Sequence, residues 1–243
     1  MTGAPCPVEL CHRVVRDWNM KDFVVVYGST ETSPVTFQNH LDDSIELKTS
    51  TVGRIGDHVE AKIIDTEGRI VPYGTRGELC VRGYMTMLCY WNDKSKTDEA
   101  VGIDRWYRSG DIAILNEEGY CKIVGRLKDM IVRGGENVYP TEIEQILFEH
   151  PNIADVYVFG VPDARLGEEI CSWIRPEDDT LTEDQVRAFC KERLAHFKVP
   201  KYIMFKRHED FPITVTGKIQ KFRMREIAAA ELNLTHVQPH MGS

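Results

Sequence analysis

Along the chain, apolar and polar positions alternate in two different periods, and the change of period marks the organisation. Phe23-Val24-Val25-Val26 is a short β-branched run halted at Tyr27-Gly28-Ser29-Thr30, which predicts a buried strand opening into a loop. From about Val52 to Gly125 the pattern is short strands and turns: Val59 to Asp65, a Thr66-Glu67-Gly68 turn, Gly77 to Gly83, and Gly119 to Gly125. After Arg133-Gly134-Gly135 the spacing becomes helical. Thr141-x-x-Glu144 has the form of a capping box ahead of Ile143, Ile146 and Leu147. Strand-like Val156 to Phe159 and Ile170 to Ile174 follow, and Thr182-x-x-Gln185 predicts a second capped helix carrying Val186, Phe189, Cys190 and Leu194 on one face. Tyr202 to Phe205 reads as a strand and Phe222 to Leu232 as a closing helix. A β-rich half therefore precedes a small α/β half, with the boundary in the glycine-flanked charged segment Gly125 to Asp129.

Composition narrows the function classes. With 243 residues, 42% of them hydrophobic, the chain can bury a core. Its 30 basic and 38 acidic residues leave a net charge of -8, which offers no footprint for nucleic acid. No apolar run approaches the roughly 20 residues of a membrane span. The seven cysteines are spread out without metal-ligand spacing and read as reduced thiols. Met1 to Val15 has neither the apolar core of a signal peptide nor the character of a transit peptide, so translation as written points to the cytoplasm.

Four segments carry candidate chemistry. Tyr27-Gly28-Ser29-Thr30-Glu31-Thr32 sets hydroxyls and a carboxylate on a loop after a strand, where a hydroxyl can bond phosphate and a carboxylate can hold Mg²⁺; it also fits an ordinary turn. Trp106-Tyr107-Arg108-Ser109-Gly110-Asp111 brings an aspartate that can accept from ribose hydroxyls, or a capped turn. Gly125-Arg126-Leu127-Lys128-Asp129 offers an arginine able to fork onto ribose or phosphate, or a solvated linker. Thr216-Gly217-Lys218 puts a lysine after a turn, but Pro212 stands where a P-loop needs glycine, and a solvated surface lysine has the same signature.

In this order and at these separations, the four segments resemble the recurrent motifs of adenylate-forming enzymes: acyl-CoA synthetases, luciferases and peptide-synthetase adenylation domains. Gly77-Glu78-Leu79-Cys80-Val81-Arg82-Gly83 and Arg133 through Pro140 are similar to further motifs of that family. Tyr27 through Phe37 and Arg133 through Glu144 resemble its mitochondrial medium-chain acyl-CoA synthetases most closely. The resemblance implies an α/β and β-rich fold. Residues 1–127 would be the carboxyl-terminal piece of the large AMP-binding domain, 128–234 a small mobile α/β domain, and 235–243 a tail.

It further implies a ligase that uses ATP, Mg²⁺ and coenzyme A to activate a fatty acid through an acyl-adenylate, in the mitochondrial matrix. Tyr27 and Gly28 would lie near adenine, and Thr30 would bond the α-phosphate. Glu31 would hold Mg²⁺, Asp111 would take the ribose hydroxyls and Arg126 would reach ribose and phosphate. Lys128 would be the hinge, Gly134 and Gly135 would line the pantetheine channel, and Lys218 would act with Thr30 and Glu31 in catalysis. The family's Ser/Thr/Gly-rich phosphate loop has no counterpart between Met1 and Tyr27, so a truncated chain without competent activity alone is expected. Two rivals stay open at this stage: an enzyme that loads a carrier protein, and a non-catalytic fragment that binds nucleotide or partners.

Overall fold

Strand residues in the second half of the chain point alternately to two apolar layers, which decides the architecture there. Val156 and Val158 face one core with Ile170 and Ile174, whereas Tyr157, Phe159 and Val161 face another with Cys171 and Trp173. A strand buried on both faces reads as a nearly continuous apolar run because successive side chains leave the backbone on opposite sides.

The computed structural model describes residues 8–20, 22–215 and 217–234. Thr216 and the 235–243 tail lie outside the described residues, as does most of the Met1 to Val15 segment's first half. The chain divides into two compact units, Met1–Leu127 and Lys128–Ser243. In the first, α1 (Val8–Trp18) precedes β1 (Val26–Tyr27), β2 (Phe37–Gln38), α2 (Ile45–Ser50) and β3 (Arg54–Ile55). Next come β4 (Val59–Ile64), β5 (Gly77–Gly83), α3 (Lys94–Ala100), β6 (Tyr107–Leu115) and β7 (Cys121–Arg126). β1, β2 and β3 form one sheet in that order, and β4 to β7 form a four-stranded antiparallel meander. Phe37, Leu79, Val81, Ala113 and Cys121 are buried together between strands and loops.

The second unit contains β8 (Ile131–Arg133), β9 (Glu136–Val138), α4 (Pro140–Phe148), β10 (Ile153–Asp163), β11 (Gly167–Pro176), α5 (Glu183–Arg193), β12 (Tyr202–Phe205) and α6 (Lys221–Glu231). β11 is the hub. It pairs antiparallel with β10 and with β8, and parallel with β12. Ile143 and Leu147 of α4 and Val186 and Cys190 of α5 cover one face of the sheet, while Met224 and Ala228 of α6 cover the other. Among the described residues no helix is long and apolar enough to cross a membrane.

The mixed α/β and β-rich class expected from sequence is what the chain adopts, with corrections of detail. Only the end of the Phe23 to Val26 run is a regular strand: the Val25 carbonyl accepts the Asn39 amide at 3.1 Å and Val26 pairs with Gln38, while Phe23 and Val25 are buried in a small cluster with Cys11 of α1. The second capping box is formed as expected: Thr182 Oγ1 accepts from the Gln185 amide, and Gln185 Oε1 accepts from the Thr182 amide at 2.8 Å. The first is not. Proline at position 140 starts α4 one residue before Thr141, so Tyr139 occupies the cap position without a side-chain capping bond to the helix, and Glu144 turns inward to another use.

Candidate active site

In the first unit the strand ladder assembles one carboxylate-centred cluster. β6 and β7 place Asp111 directly opposite Arg126, and β1 brings in Tyr27 from 84 residues away. The Tyr27 hydroxyl donates to Asp111 Oδ2 at 2.5 Å, and Arg126 Nε lies 3.3 Å from Oδ1. Asp111 keeps 14% of its side-chain exposure while Arg126 keeps 56%, so the aspartate is a sheltered acceptor beside an exposed cation. Burial, reinforced by the charge of Asp111, pushes the Tyr27 phenol well above its ordinary pKa, and it stays a hydrogen-bond donor throughout the neutral range. Before Asp111, Ser109 Oγ accepts the Asp111 amide at 3.0 Å and donates to the Leu79 carbonyl at 2.8 Å. Glu78 takes Arg108 Nε at 3.0 Å and the Gly110 amide at 3.3 Å, which pins the segment from a neighbouring strand.

The loop after β1 is shaped by close backbone approach. A Cβ at Gly28 would sit 1.8 Å from the Pro34 carbonyl oxygen, so any other residue would break the loop. Thr30 and Glu31 lie in a single 3-10 turn, Thr30–Thr32, with Thr30 exposed. Glu31 Oε1 accepts the hydroxyl of Tyr90 at 2.8 Å, a partner 59 residues away that sequence reasoning did not single out. Burial and the neighbouring carboxylate hold the Tyr90 phenol protonated. One hard oxygen ligand on an open loop fits Mg²⁺, which binds through one or two carboxylates and completes its shell with phosphate and water. Among the described residues no group of three or more His, Cys, Asp or Glu could hold a metal alone, so substrate oxygens would have to supply the remaining ligands.

The second unit carries the other expected residues. Lys128 lies in the short 3-10 turn Leu127–Asp129 and is exposed. Gly134 and Gly135 form the turn between β8 and β9 with φ of 58° and 88°, a left-handed pair that glycine adopts without the strain of a side chain. The Gly134 amide donates to the Leu166 carbonyl at 2.8 Å, and Arg133 forks onto the buried Glu169 at 2.7 and 2.9 Å, so the turn is anchored at its base. Lys218 is exposed on a tight hairpin in which its carbonyl accepts the Thr214 amide at 2.8 Å. Tyr27, Asp111 and Arg126 are thus brought into contact, Glu31 is held separately by Tyr90, and Gly134, Gly135 and Lys218 belong to the second unit. The charge partners Glu78, Glu169 and Tyr90 have no local signature; only the opposite charge of Arg133 and Glu169 hints at pairing.

This architecture belongs with a known class. The AMP-binding enzyme family model matches residues 1–91, and that of the AMP-binding enzyme C-terminal domain matches residues 142–218. The chain belongs to the adenylate-forming, AMP-binding enzyme family. It is 51% identical over 236 residues to "Medium-chain acyl-CoA ligase ACSF2, mitochondrial" of Bos taurus, a match covering 96% of this chain and 38% of that protein. It is 45% identical over 240 residues to "Putative acyl-CoA synthetase YngI" of Bacillus subtilis, covering 98% of this chain and 43% of the relative. Among solved structures, o-succinylbenzoate CoA synthetase (MenE) from Bacillus subtilis, in complex with its acyl-adenylate intermediate OSB-AMP, superposes with a TM-score of 0.82 at 28% identity. That match covers 92% of this chain and 44% of the other. The chain therefore spans about two fifths of the length of the curated relatives it matches.

Proposed function

We propose that the protein bearing these residues is an ATP-dependent fatty acid–CoA ligase, acting on medium-chain acids in the mitochondrion through an acyl-adenylate. The observation that carries this reading is Asp111, a sheltered carboxylate oriented by Tyr27 and Arg126 as a ribose-binding acceptor needs to be. Identity to the medium-chain ligases and likeness to a CoA synthetase holding an acyl-adenylate support it.

In the first half-reaction the substrate carboxylate oxygen attacks the α-phosphorus of ATP, the bond to the bridging oxygen breaks, and pyrophosphate leaves. In the second, the sulfur of CoA attacks the acyl carbon, its proton is lost, and AMP leaves. Thr30 would bond the α-phosphate and Glu31 would hold Mg²⁺, which when bound neutralises charge on the phosphate oxygens. The Lys218 ammonium is suited to charge that builds on the phosphate as the carboxylate attacks. Thioester formation has different needs, and the reading assigns Gly134 and Gly135 to a passage for pantetheine, with Lys128 as the pivot between steps. Domain limits of 1–127 and 128–234 follow from the same reading.

The test separates the half-reactions in a polypeptide of full family length containing these residues. Lys218→Ala should slow pyrophosphate release roughly a hundredfold or more, as loss of one preorganised donor does, and spare conversion of supplied acyl-adenylate and CoA. Gly135→Trp should do the reverse. Equal slowing of both steps by Lys218→Ala, or thioester formed on a carrier protein and never on free CoA, would remove the reading.

A further inference from the structure

We infer that Lys221 is a positioning residue for Lys218, holding the lysine hairpin in place through an ion pair with Glu144; the inference rests on the adenylation role proposed for Lys218. The hairpin itself is well tied. Ile213 and Ile219 form an antiparallel bridge, the Gln220 amide donates to the Pro212 carbonyl at 2.9 Å, and the Lys218 amide donates to Thr214 Oγ1 at 3.0 Å. Where Lys218 points therefore depends on what holds the stem. One side of the stem is set by Phe211, which is buried against Tyr157 and Trp173. The other side runs directly into α6.

The first turn of α6 breaks two local rules at once. Gln220, at the cap position, makes no side-chain capping bond, and the first helical residue is a lysine with no acidic residue in that turn. A cation there opposes the positive end of the helix dipole. Its offset comes from elsewhere: Lys221 Nζ lies 2.6 Å from Glu144 Oε1, across 77 residues. The same oxygen accepts the Val158 amide at 2.8 Å, so α4, β10 and α6 meet at one carboxylate oxygen. The two side chains keep only 20% and 11% of their exposure, which shields the pair from the screening that weakens surface ion pairs. Met224, Ala228 and Ala229 already pack the body of α6, further along the helix. What the ion pair adds is a fixed point at the end where the hairpin leaves, three residues from Lys218. Local rules broken together beside a reactive group mark a place shaped for function.

The experiment uses the polypeptide of full family length, with pyrophosphate release read apart from thioester formation on supplied acyl-adenylate. Lys221→Met should lower kcat for adenylation by about tenfold, and at most roughly a hundredfold, as misplacement of a catalytic group does. KM for ATP and the thioester step should change by less than about twofold, since neither uses the placement of Lys218. Lys221→Arg should restore most of the rate, because a guanidinium can keep the bond to Glu144. In a Lys218→Ala background Lys221→Met should add no further loss; the same fold loss there, or equal slowing of both half-reactions, overturns the inference. Amide exchange of the same variant provides a reading independent of turnover: peptides spanning 212–220 should exchange about tenfold faster while β10 and β11 stay protected. Unchanged exchange in the hairpin refutes the tether. A wild-type protein that releases no pyrophosphate would instead sink the adenylation reading, leaving the exchange result to decide the tether alone.

Discussion

Replacing Tyr27 by phenylalanine removes one hydroxyl and nothing else from the Asp111 cluster, which makes it the sharpest probe of that arrangement. The ring remains packed 6.1 Å from Phe37, so no cavity opens. What is lost is a bond to an ionised acceptor that is mostly sheltered from water. Such bonds contribute about 1.5–3 kcal/mol net. Arg126 still faces the other oxygen, so the charge is not orphaned, and the lower end, about 1.5 kcal/mol, is expected. That corresponds to roughly a tenfold rise in the opening equilibrium of the surrounding sheet. Peptide-resolved amide exchange of β6 reads this directly, with the β10–β11 hairpin of the other unit as the reference. A cycle with Asp111→Asn isolates the pair: the double variant should fall short of the sum of the singles by about 1 kcal/mol or more. Additive singles would mean that Tyr27 does not orient Asp111 and would refute the proposed preorganisation of that carboxylate.

Three further outcomes follow from other parts of the chain. Burial raises the thiols of Cys80 and Cys190 to about 11 and those of Cys121 and Cys171 to about 12, whereas Cys89 is exposed. Iodoacetamide at pH 7.5, chosen as roughly neutral, should therefore label Cys89 and leave those four unmodified until the chain unfolds, as peptide mass spectrometry would read. Asp163, held by Lys201 Nζ and two backbone amides, is depressed from 3.8 to about 2; its share of stability is complete above about pH 4 and is lost as pH falls through 2. Denaturant titrations should accordingly show Asp163→Asn weakening the second unit at pH 6 by about 1 kcal/mol after solvent screening, with the difference shrinking as pH falls toward about 2 and gone only well below it. Glu169→Ala should cost the second unit about 3 kcal/mol, since Arg133 would be left largely buried without its fork, a loss visible in the denaturation midpoint.

What sequence could show was set by range. Runs such as Val156 to Phe159 and Ile170 to Ile174 announce strands because alternation is a property of adjacent residues, and Thr182 with Gln185 announces a cap because both bonds close within one turn. α3 has a cap signal in Asp93, which accepts the Lys96 amide, but buries no residue, so it lacks the apolar stripe that marks a helix. Thr141 and Glu144 fit the capping pattern, yet Pro140 starts the helix and Glu144 is taken by tertiary partners, the Val158 amide and Lys221. Resemblance singled out Tyr27, Asp111, Arg126 and Lys218 as candidates. It did not foresee that Tyr27 would bond Asp111 or that Tyr90 would hold Glu31, because contacts across 84 and 59 residues leave no periodic trace.

The position of β11 between its neighbours also orders the steps by which the second unit acquires its structure. β10 and β11 are joined by a tight turn in which Asp163 Oδ1 accepts the Arg165 and Leu166 amides, so their pairing closes a loop of a few residues, an event on the microsecond scale. β12 can align beside Cys171 to Ile174 only after the chain has travelled through α5 and returned. Closing that longer loop costs entropy before any contact repays it, and it needs the hairpin as its template. The lysine hairpin and α6 come later still in the chain, and α6 packs on a face of which Trp173 of β11 forms part. Nascent chains emerging from the ribosome thus carry the β10–β11 scaffold before the Lys218 hairpin and α6.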